Sequence, residues 1–380
     1  MDDMALLSDF SLFLHERKQN DTKVAAFLTH DNIPEEMMDA CGIFPLRMMF
    51  GGNEELMNAS HDYLPPSTCA FTQSSIGLFS IKPSKYQFLD LVDYFIVSNH
   101  CVSDICGSEI ITKYFKIPRL NFYISYTKNE NSEKYFRLEL EDFKRQLEDI
   151  TKSKLTDDKL YESIKKFNKF KQKLQELNSL NLIGSKKLHI IQEAMLFGPS
   201  YYDKLTDFIE NNREKQIHQA DTLKNVILTG CSVFINDYLV DLIEDAGGNV
   251  CFFDTWIGNH YYSQVFSKDE LNSNLSPFDL LVQRYKKNIL SDHSVPNFLD
   301  NKIAQLVKIN NSYKKKTGTN VGVINHIIKF CDHFSMLSSY FKEKLQVEGI
   351  RVLNLERDYS GANKGQLSTR IEAYLDMLEL

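Results

Sequence analysis

At 380 residues the chain is too long for one ordinary core, and two or three domains are expected. A composition of 43% hydrophobic and 25% charged residues, with only 9 prolines and 16 glycines, excludes a long disordered or fibrous region. The net charge of −7 argues against nucleic acid as a principal partner.

The first stretch, MDDMALLSDFSLFLHERKQ, starts acidic and is amphipathic, without the basic-then-apolar layout of a signal peptide. No apolar run reaches the roughly 18 residues that a spanning helix needs, so no membrane contact is expected and the expected location is the cytoplasm. Up to about residue 128, short runs apolar on both faces alternate with helical patterns. The runs are KVAAFLT (23–29), GIFPLRMMF (42–50), YFIVSN (94–99) and RLNFYIS (119–125). Such runs suit buried parallel strands, with helices from Pro34 to Ala40 and from Ser108 to Phe115 between them.

From about 129 to 222 no strand pattern occurs. In TDDKLYESIKKFNKFKQKLQEL, residues Leu160, Ile164, Phe167, Leu174 and Leu177 fall on one helical face, with Thr156 or Asp157 as the cap. The lysines 165, 166, 169, 171 and 173 read as a solvated face. A further helical pair is expected around Gly198-Pro199. From about 223, β-α alternation returns with NVILTG (225–230), NVCFFDT (249–255), VGVINHIIKF (321–330) and RVLNLER (351–357). Residues 232–248 read as the helix between the first two, ended by Gly247-Gly248, and GQLSTRIEAYLDMLEL as a closing helix. The expected class is therefore α/β. Two doubly wound, Rossmann-like parallel-sheet domains, 1–128 and 223–380, have a helical layer, 129–222, between them.

Common signatures are missing: no GxxxxGKS or GxxxxGKT, no GxGxxG after a strand, no HExxH, no GxSxG and no CxxC pair. The 7 cysteines are odd in number and scattered, which argues against a disulfide framework. Each is then a small buried hydrophobe or a ligand. Three stand where an open α/β sheet gathers ligands. Cys101 follows YFIVSNH, Cys331 follows VGVINHIIKF, and Cys69 follows the Pro65-Pro66 turn and precedes a helical pattern. Nearby helix N-termini favour thiolates there. Their separation along the chain has meaning only if two domains close on one site.

The segments IPEEMMDACGIFPLRMM (33–49), DYLPPSTCAFTQSSIG, VDYFIVSNHC and the long C-terminal stretch 322–378 resemble the 2-hydroxyacyl-CoA dehydratase subunits, including the D-component of 2-hydroxyglutaryl-CoA dehydratase. That family also contains the ATP-dependent benzoyl-CoA reductases. The C-terminal stretch resembles its Phe-Cys-Asp segment, its Asp-Tyr-Ser turn and its Gly-Gln-x-x-Thr-Arg-x-Glu-Ala helix. Val102 stands where the family usually has aspartate, and His333 where proline is usual. In FDTWIGNHYYSQ (253–264), Phe253 replaces an aspartate, Trp256 a small residue and His260 an arginine.

The resemblance implies one 4Fe–4S cluster held by Cys69, Cys101 and Cys331, with one iron open to a substrate oxygen. Cys106 is the alternative to Cys101, and Cys41, Cys231 and Cys251 read as core thiols. It further implies a heterodimer with a homologous second subunit, an ATP-dependent iron–sulfur activator protein as electron donor, and an acyl-CoA substrate. The reaction would be radical, ketyl-type elimination of water from a 2-hydroxyacyl-CoA. A benzoyl-CoA reductase-type subunit and a non-catalytic relay subunit remain the alternatives. No catalytic residue is assigned; His260 and Glu372 are candidates, with a supporting polar role the favoured expectation for His260. For the CoA anion, TGCSVF (229–234) and the helix start with Gly365, Gln366, Ser368 and Arg370 offer backbone N–H groups. Plain helix capping, with an Arg370–Glu372 ion pair, is the competing expectation.

Overall fold

The structure is a computed structural model that describes residues 3–28, 32–213, 223–291, 294–318 and 321–378. Each of the eight apolar runs forms a strand, and the strands make two four-stranded, all-parallel sheets. The first holds β1 (Lys23–Leu28), β2 (Ile43–Met48), β3 (Tyr94–Ser98) and β4 (Arg119–Phe122) in the order β2-β1-β3-β4. The second holds β5 (Lys224–Gly230), β6 (Gly248–Asp254), β7 (Gly322–Ile328) and β8 (Val352–Arg357) in the matching order β6-β5-β7-β8. Thr29, included in the first run, lies outside the described residues, as does the boundary near residue 222 and the last two residues of the closing helix. Helices cover the faces, so β6 and β7 are buried at every position, which is why they read as continuous apolar runs.

The helices are α1 (Asp3–Gln19), α2 (Glu35–Ala40), α3 (Glu54–Ala59), α4 (Ala70–Ile81) and α5 (Val102–Tyr114) in the first region. The middle region forms α6 (Glu130–Thr151), α7 (Asp157–Glu176), α8 (Gly184–Phe197) and α9 (Tyr202–Arg213). Then come α10 (Leu239–Asp245), α11 (Asn259–Tyr262), α12 (Lys268–Leu271), α13 (Pro277–Lys287), α14 (Phe298–Thr317), α15 (Asp332–Val347) and α16 (Lys364–Met377). No helix among the described residues is long and apolar enough to cross a membrane.

The stripe on α7 is buried, with Thr156 accepting from Lys159 N at the cap. Burying Leu160, Ile164, Phe167 and Leu174 stabilises by about 1.5–3 kcal/mol each before conformational entropy is charged against it. The helix packs on α2 of the first sheet unit and on α11 of the second, so it touches both. The lysine face is not wholly solvated, however. Lys171 is buried, because α7 turns that edge toward Glu36 and Tyr261.

Residues 232–248 are a second correction. Only Leu239–Asp245 is helical. The preceding segment crosses to the first unit, where Ile235 N donates to Met49 O at 2.9 Å and Gly51 N donates to Ile235 O at 2.7 Å. Asn236 takes a φ of +66° and donates to Tyr86 Oη. Its backbone polar groups are thus satisfied across the domain contact instead of in a helix. Phe71 stacks on Phe234 at 4.3 Å beside it. In the other direction, α5 starts six residues before Ser108, because Cys101 serves as its cap.

Candidate functional site

In both sheets the winding direction reverses between the two central strands, which makes a cleft at their carboxyl ends. Cys101 follows β3 and Cys331 follows β7, strands that hold the same place in the two sheets. Each cysteine immediately precedes a helix, α5 and α15, and Cys69 does the same for α4. First-turn amides face two of the sulfurs, those of Phe71 and Thr72 at Cys69 and that of Asp104 at Cys101. Asp104 N donates to Cys101 Sγ at 3.3 Å.

Local chemistry sets the three loops. Gln73, one turn into α4, donates to Pro66 O at 2.9 Å and Thr68 O at 2.6 Å, which fixes the proline turn ahead of Cys69. Ala70 N donates to Lys329 O at 3.2 Å, which ties the Cys69 loop to the Cys331 loop. Phe330 takes a left-handed φ of +63°, a strained backbone for a bulky residue, and this turn delivers Cys331 to the start of α15. Gly107 lets α4 and α5 approach, since a Cβ there would lie 2.5 Å from the Thr72 methyl.

The thiols sense one another. Burial, and then Cys331, pushes Cys69 up to about 12 against the amides of Thr72 and Phe71. Burial raises Cys101 further, with Asp104, Cys69 and Cys331 adding to it. Three thiolates cannot stand together here without a positive centre among them. Among the described residues no three His, Cys, Asp or Glu side chains converge on a single ion. The donor set is three soft sulfurs, and the ligands of an iron–sulfur cluster bind separate irons, so these residues suit a cluster better than a mononuclear ion.

Cys106 is exposed on α5. Cys231 is buried and accepts from Ile328 N at 3.4 Å. Cys251 is buried in β6, with its thiol donating to Val226 O at 3.4 Å and pushed up to about 11 by burial. Cys41 ends α2 before Gly42, which takes a φ of +75°. Trp256 packs edge-on to His100 at 4.5 Å and near Phe334 at 6.2 Å, so it sits on the Cys101 loop and the first turn after Cys331. The buried hydroxyls of Tyr359 and Ser74 have no partner among the described residues, and Tyr359 interacts electrostatically with Cys69. Neither hydroxyl was marked by sequence reasoning, although Tyr359 belongs to the Asp-Tyr-Ser turn that was.

His260 lies in a buried charge group. Its Nε2 is 3.1 Å from Asp254 Oδ1, and Asp254 also meets Lys302 Nζ at 3.1 Å, Thr229 Oγ1 at 2.8 Å and Gln305 Nε2 at 3.1 Å. Burial favours the neutral acid, but Lys302 and then His260 overcome it and hold Asp254 well below the usual carboxylate range. Next to it Glu36 grips Arg284 through both oxygens and Glu35 meets Arg47 at 3.0 Å. These partners come from α2, β2, α13 and α14, separations that no local pattern reveals.

At α16, Gly365 and Gln366 are exposed, Ser368 donates to Glu372 at 2.8 Å and Arg370 donates to Asn354 O at 2.7 Å. Arg370 and Glu372 are thus engaged separately, not as an ion pair. The 229–234 segment is corrected: it is no helix N-terminus. Gly230 has a φ of +90°, Cys231 N donates to His326 O at 2.8 Å, and the helix begins only at Leu239.

The family model described as 2-hydroxyglutaryl-CoA dehydratase, D-component, matches residues 32–378. A protein of Escherichia coli (strain K12) named as a dehydratase subunit is 23% identical over 367 residues, covering 91% of this chain and 89% of that one. The (R)-phenyllactyl-CoA dehydratase beta subunit of Clostridium sporogenes is 24% identical over 360 residues, with the same coverage of 91% and 89%. One of the benzoyl-CoA reductase subunits of Thauera aromatica is 22% identical over 240 residues, 55% of this chain and 59% of that one.

Proposed function

Because the chain belongs to the 2-hydroxyglutaryl-CoA dehydratase D-component family, we propose that it is an iron–sulfur subunit of a 2-hydroxyacyl-CoA dehydratase-like enzyme. The observation that supports this most is that Cys69, Cys101 and Cys331 each stand at a helix N-terminus and raise one another's proton affinity across the two sheet units. These three would hold a 4Fe–4S cluster. Bound there, the cluster would supply one-electron redox chemistry.

This chain's own part is to hold and to exclude. Helix N-termini favour the thiolate form that the ligands need. The Phe71–Phe234 stack beside the start of α4 and Trp256 against His100 wall the segments that carry these cysteines. The exposed start of α16, with Gly365, Gln366, Ser368 and Arg370, would receive the anionic part of an acyl-CoA. The sequence carries no phosphate loop, so ATP would be used by a separate activator protein. A homologous second subunit would complete the enzyme, since the relatives are named as subunits.

Trp256 favours one further reading. Its ring stands against both the Cys101 and the Cys331 segments and narrows the space in which a thioester would approach. On that reading the chain passes electrons and its partner subunit activates the substrate.

The test is anaerobic purification with iron and sulfide analysis and EPR of the dithionite-reduced protein. About four irons and four sulfides per chain, lost in Cys69→Ala, are expected. A folded chain without iron, even after reconstitution, removes the cluster reading. Turnover of a 2-hydroxyacyl-CoA by this chain and the activator alone would remove the electron-passing reading.

A further inference from the structure

Tyr359, just after β8, is tied to the Cys69 segment in three ways. Along the backbone, Lys329 N donates to Arg357 O at 2.7 Å and Ala70 N donates to Lys329 O at 3.2 Å. The end of β8, the loop before Cys331 and the start of α4 therefore stand in a row. Among the side chains, Phe234 stacks on Phe71 at 4.3 Å and meets the Tyr359 ring at 6.5 Å between centroids. Beside them the chain leaves out a Cβ. One added at Gly52 would collide with Ser74 Oγ on α4 and lie 2.8 Å from Tyr359 Cδ2. The phenol ring and α4 thus close over the same glycine.

Two hydroxyls at this place lack partners. Tyr359 is 4% exposed and Ser74 is fully buried, and neither Oη nor Oγ has a hydrogen-bond partner among the described residues. Ser75 next to it donates to Phe71 O at 2.9 Å, the common outlet for a helical serine, whereas Ser74 does not back-bond in this way. The other acceptors around the phenol are engaged. Asp237 Oδ2 is held by Arg357 and its Oδ1 accepts from Leu239 N at 3.0 Å, while Cys231 Sγ accepts from Ile328 N at 3.4 Å. Burial first, then Asp237, opposed by Arg357, and then Cys69 and Cys231 push the phenol well above its ordinary range, so it remains an O–H donor. A buried donor without an acceptor costs stability unless a group that the chain binds supplies one.

We propose that Tyr359 is a positioning residue for the iron–sulfur group, its hydroxyl donating a hydrogen bond to the Cys69 sulfur when that sulfur is a ligand. The inference rests on the reading of Cys69 as a cluster ligand. A thiol sulfur is a weak acceptor and a thiolate a strong one, so the hydrogen bond belongs to the ligated state. It offsets negative charge at the sulfur, most in the reduced state, and so raises the reduction potential.

The test is Tyr359→Phe, which keeps the ring and removes the hydroxyl, in the full chain purified anaerobically. Iron should stay at about four per chain. Redox titration followed by EPR should show the reduced-to-oxidised ratio at a fixed potential falling about tenfold, equal to about 59 mV for one electron. A change under about twofold, or one toward easier reduction, overturns the proposal. In the cluster-free chain the variant should unfold at the wild-type urea midpoint or above it, since the hydroxyl has no protein acceptor there. A lower midpoint, or a variant that does not fold, would mean that the phenol bonds to the protein, Asp237 first, and overturns the proposal as well. Iron in both proteins with an unchanged potential removes the role of Tyr359 alone. No iron in either removes the cluster reading, and this proposal with it.

Discussion

The two sheet units share a strand order but use it differently. In both, the strand beside the central one, β3 or β7, is followed three residues on by a cysteine that caps a helix. In the first unit the connection from β2 to β3 adds α4 and a further cysteine, Cys69. In the second the matching connection, from β6 to β7, carries α11 to α14 and no cysteine. It brings Trp256, His260, Arg284 and Lys302 instead. One fold repeated thus gives a pair of equivalent positions. The inserted helices then differ, one carrying a further cysteine and the other part of the buried charge group around Asp254.

The sharpest way to break this comparison is to treat Cys101 and Cys331 as equivalent. Cys101→Ala and Cys331→Ala should each reduce iron from about four per chain to near none after anaerobic purification. Cys106→Ala should keep its iron, because that thiol is exposed on the flank of α5 and away from its N-terminus. Iron retained in Cys331→Ala but lost in Cys106→Ala would show that the first unit binds it alone and that the equivalence is only one of fold.

The strands were legible because parallel strands covered on both sides must be apolar at every position, as β6 and β7 are. The placement of the three cysteines at helix starts was legible for a related reason. Each stands between a strand or turn signal and a helical pattern, and helix starts on the carboxyl side of a sheet face the ligand cleft. The 232–248 segment misled because its apolar residues, Val233, Phe234 and Ile235, are buried not by helix packing but by contact with the first unit. Lys171 misled in the opposite sense, since a lysine among lysines carries no local sign of a distant Glu36. The Asp254–Lys302 pair is 3.1 Å apart in space and far apart in sequence, so composition and periodicity were silent on it.

A smaller effect separates the two central strands. β1 ends in Leu28, whereas β5 ends in Gly230 with a φ of +90°. A Cβ at Gly230 would lie 2.3 Å from His326 O on the neighbouring strand. Gly230→Ala should cost about 2–4 kcal/mol, the left-handed penalty added to the strain of moving β7. Urea denaturation measures this. A loss below about 1 kcal/mol would mean that β5 and β7 can separate without cost, and the second sheet would be looser than its hydrogen bonding implies.

The smallest effect compares the cations beside the two edge strands, β2 and β6. Arg47 in β2 meets the Glu35 carboxylate at 3.0 Å. Lys187 on α8 lies against β6 and has the Cys251 carbonyl at 2.8 Å but no carboxylate. Burial pulls Lys187 from 10.5 to about 8. The folded state therefore gives up this proton more readily than the unfolded state does. Between about pH 8 and 10 the unfolded chain holds more protons, so stability rises with pH through this window. Below it, the buried charge costs on the order of 3 kcal/mol. Lys187→Met should remove the rise and gain stability at pH 7.5, offset by about 1 kcal/mol for the lost hydrogen bond to Cys251. Lys171 shifts in the same direction, but it is present in both proteins and cancels in their difference. Urea midpoints at pH 7.5 and 9.5 decide it. Parallel changes in the two proteins would mean that Lys187 is as well compensated as Arg47, and that the asymmetry between the edge strands is one of geometry and not of charge.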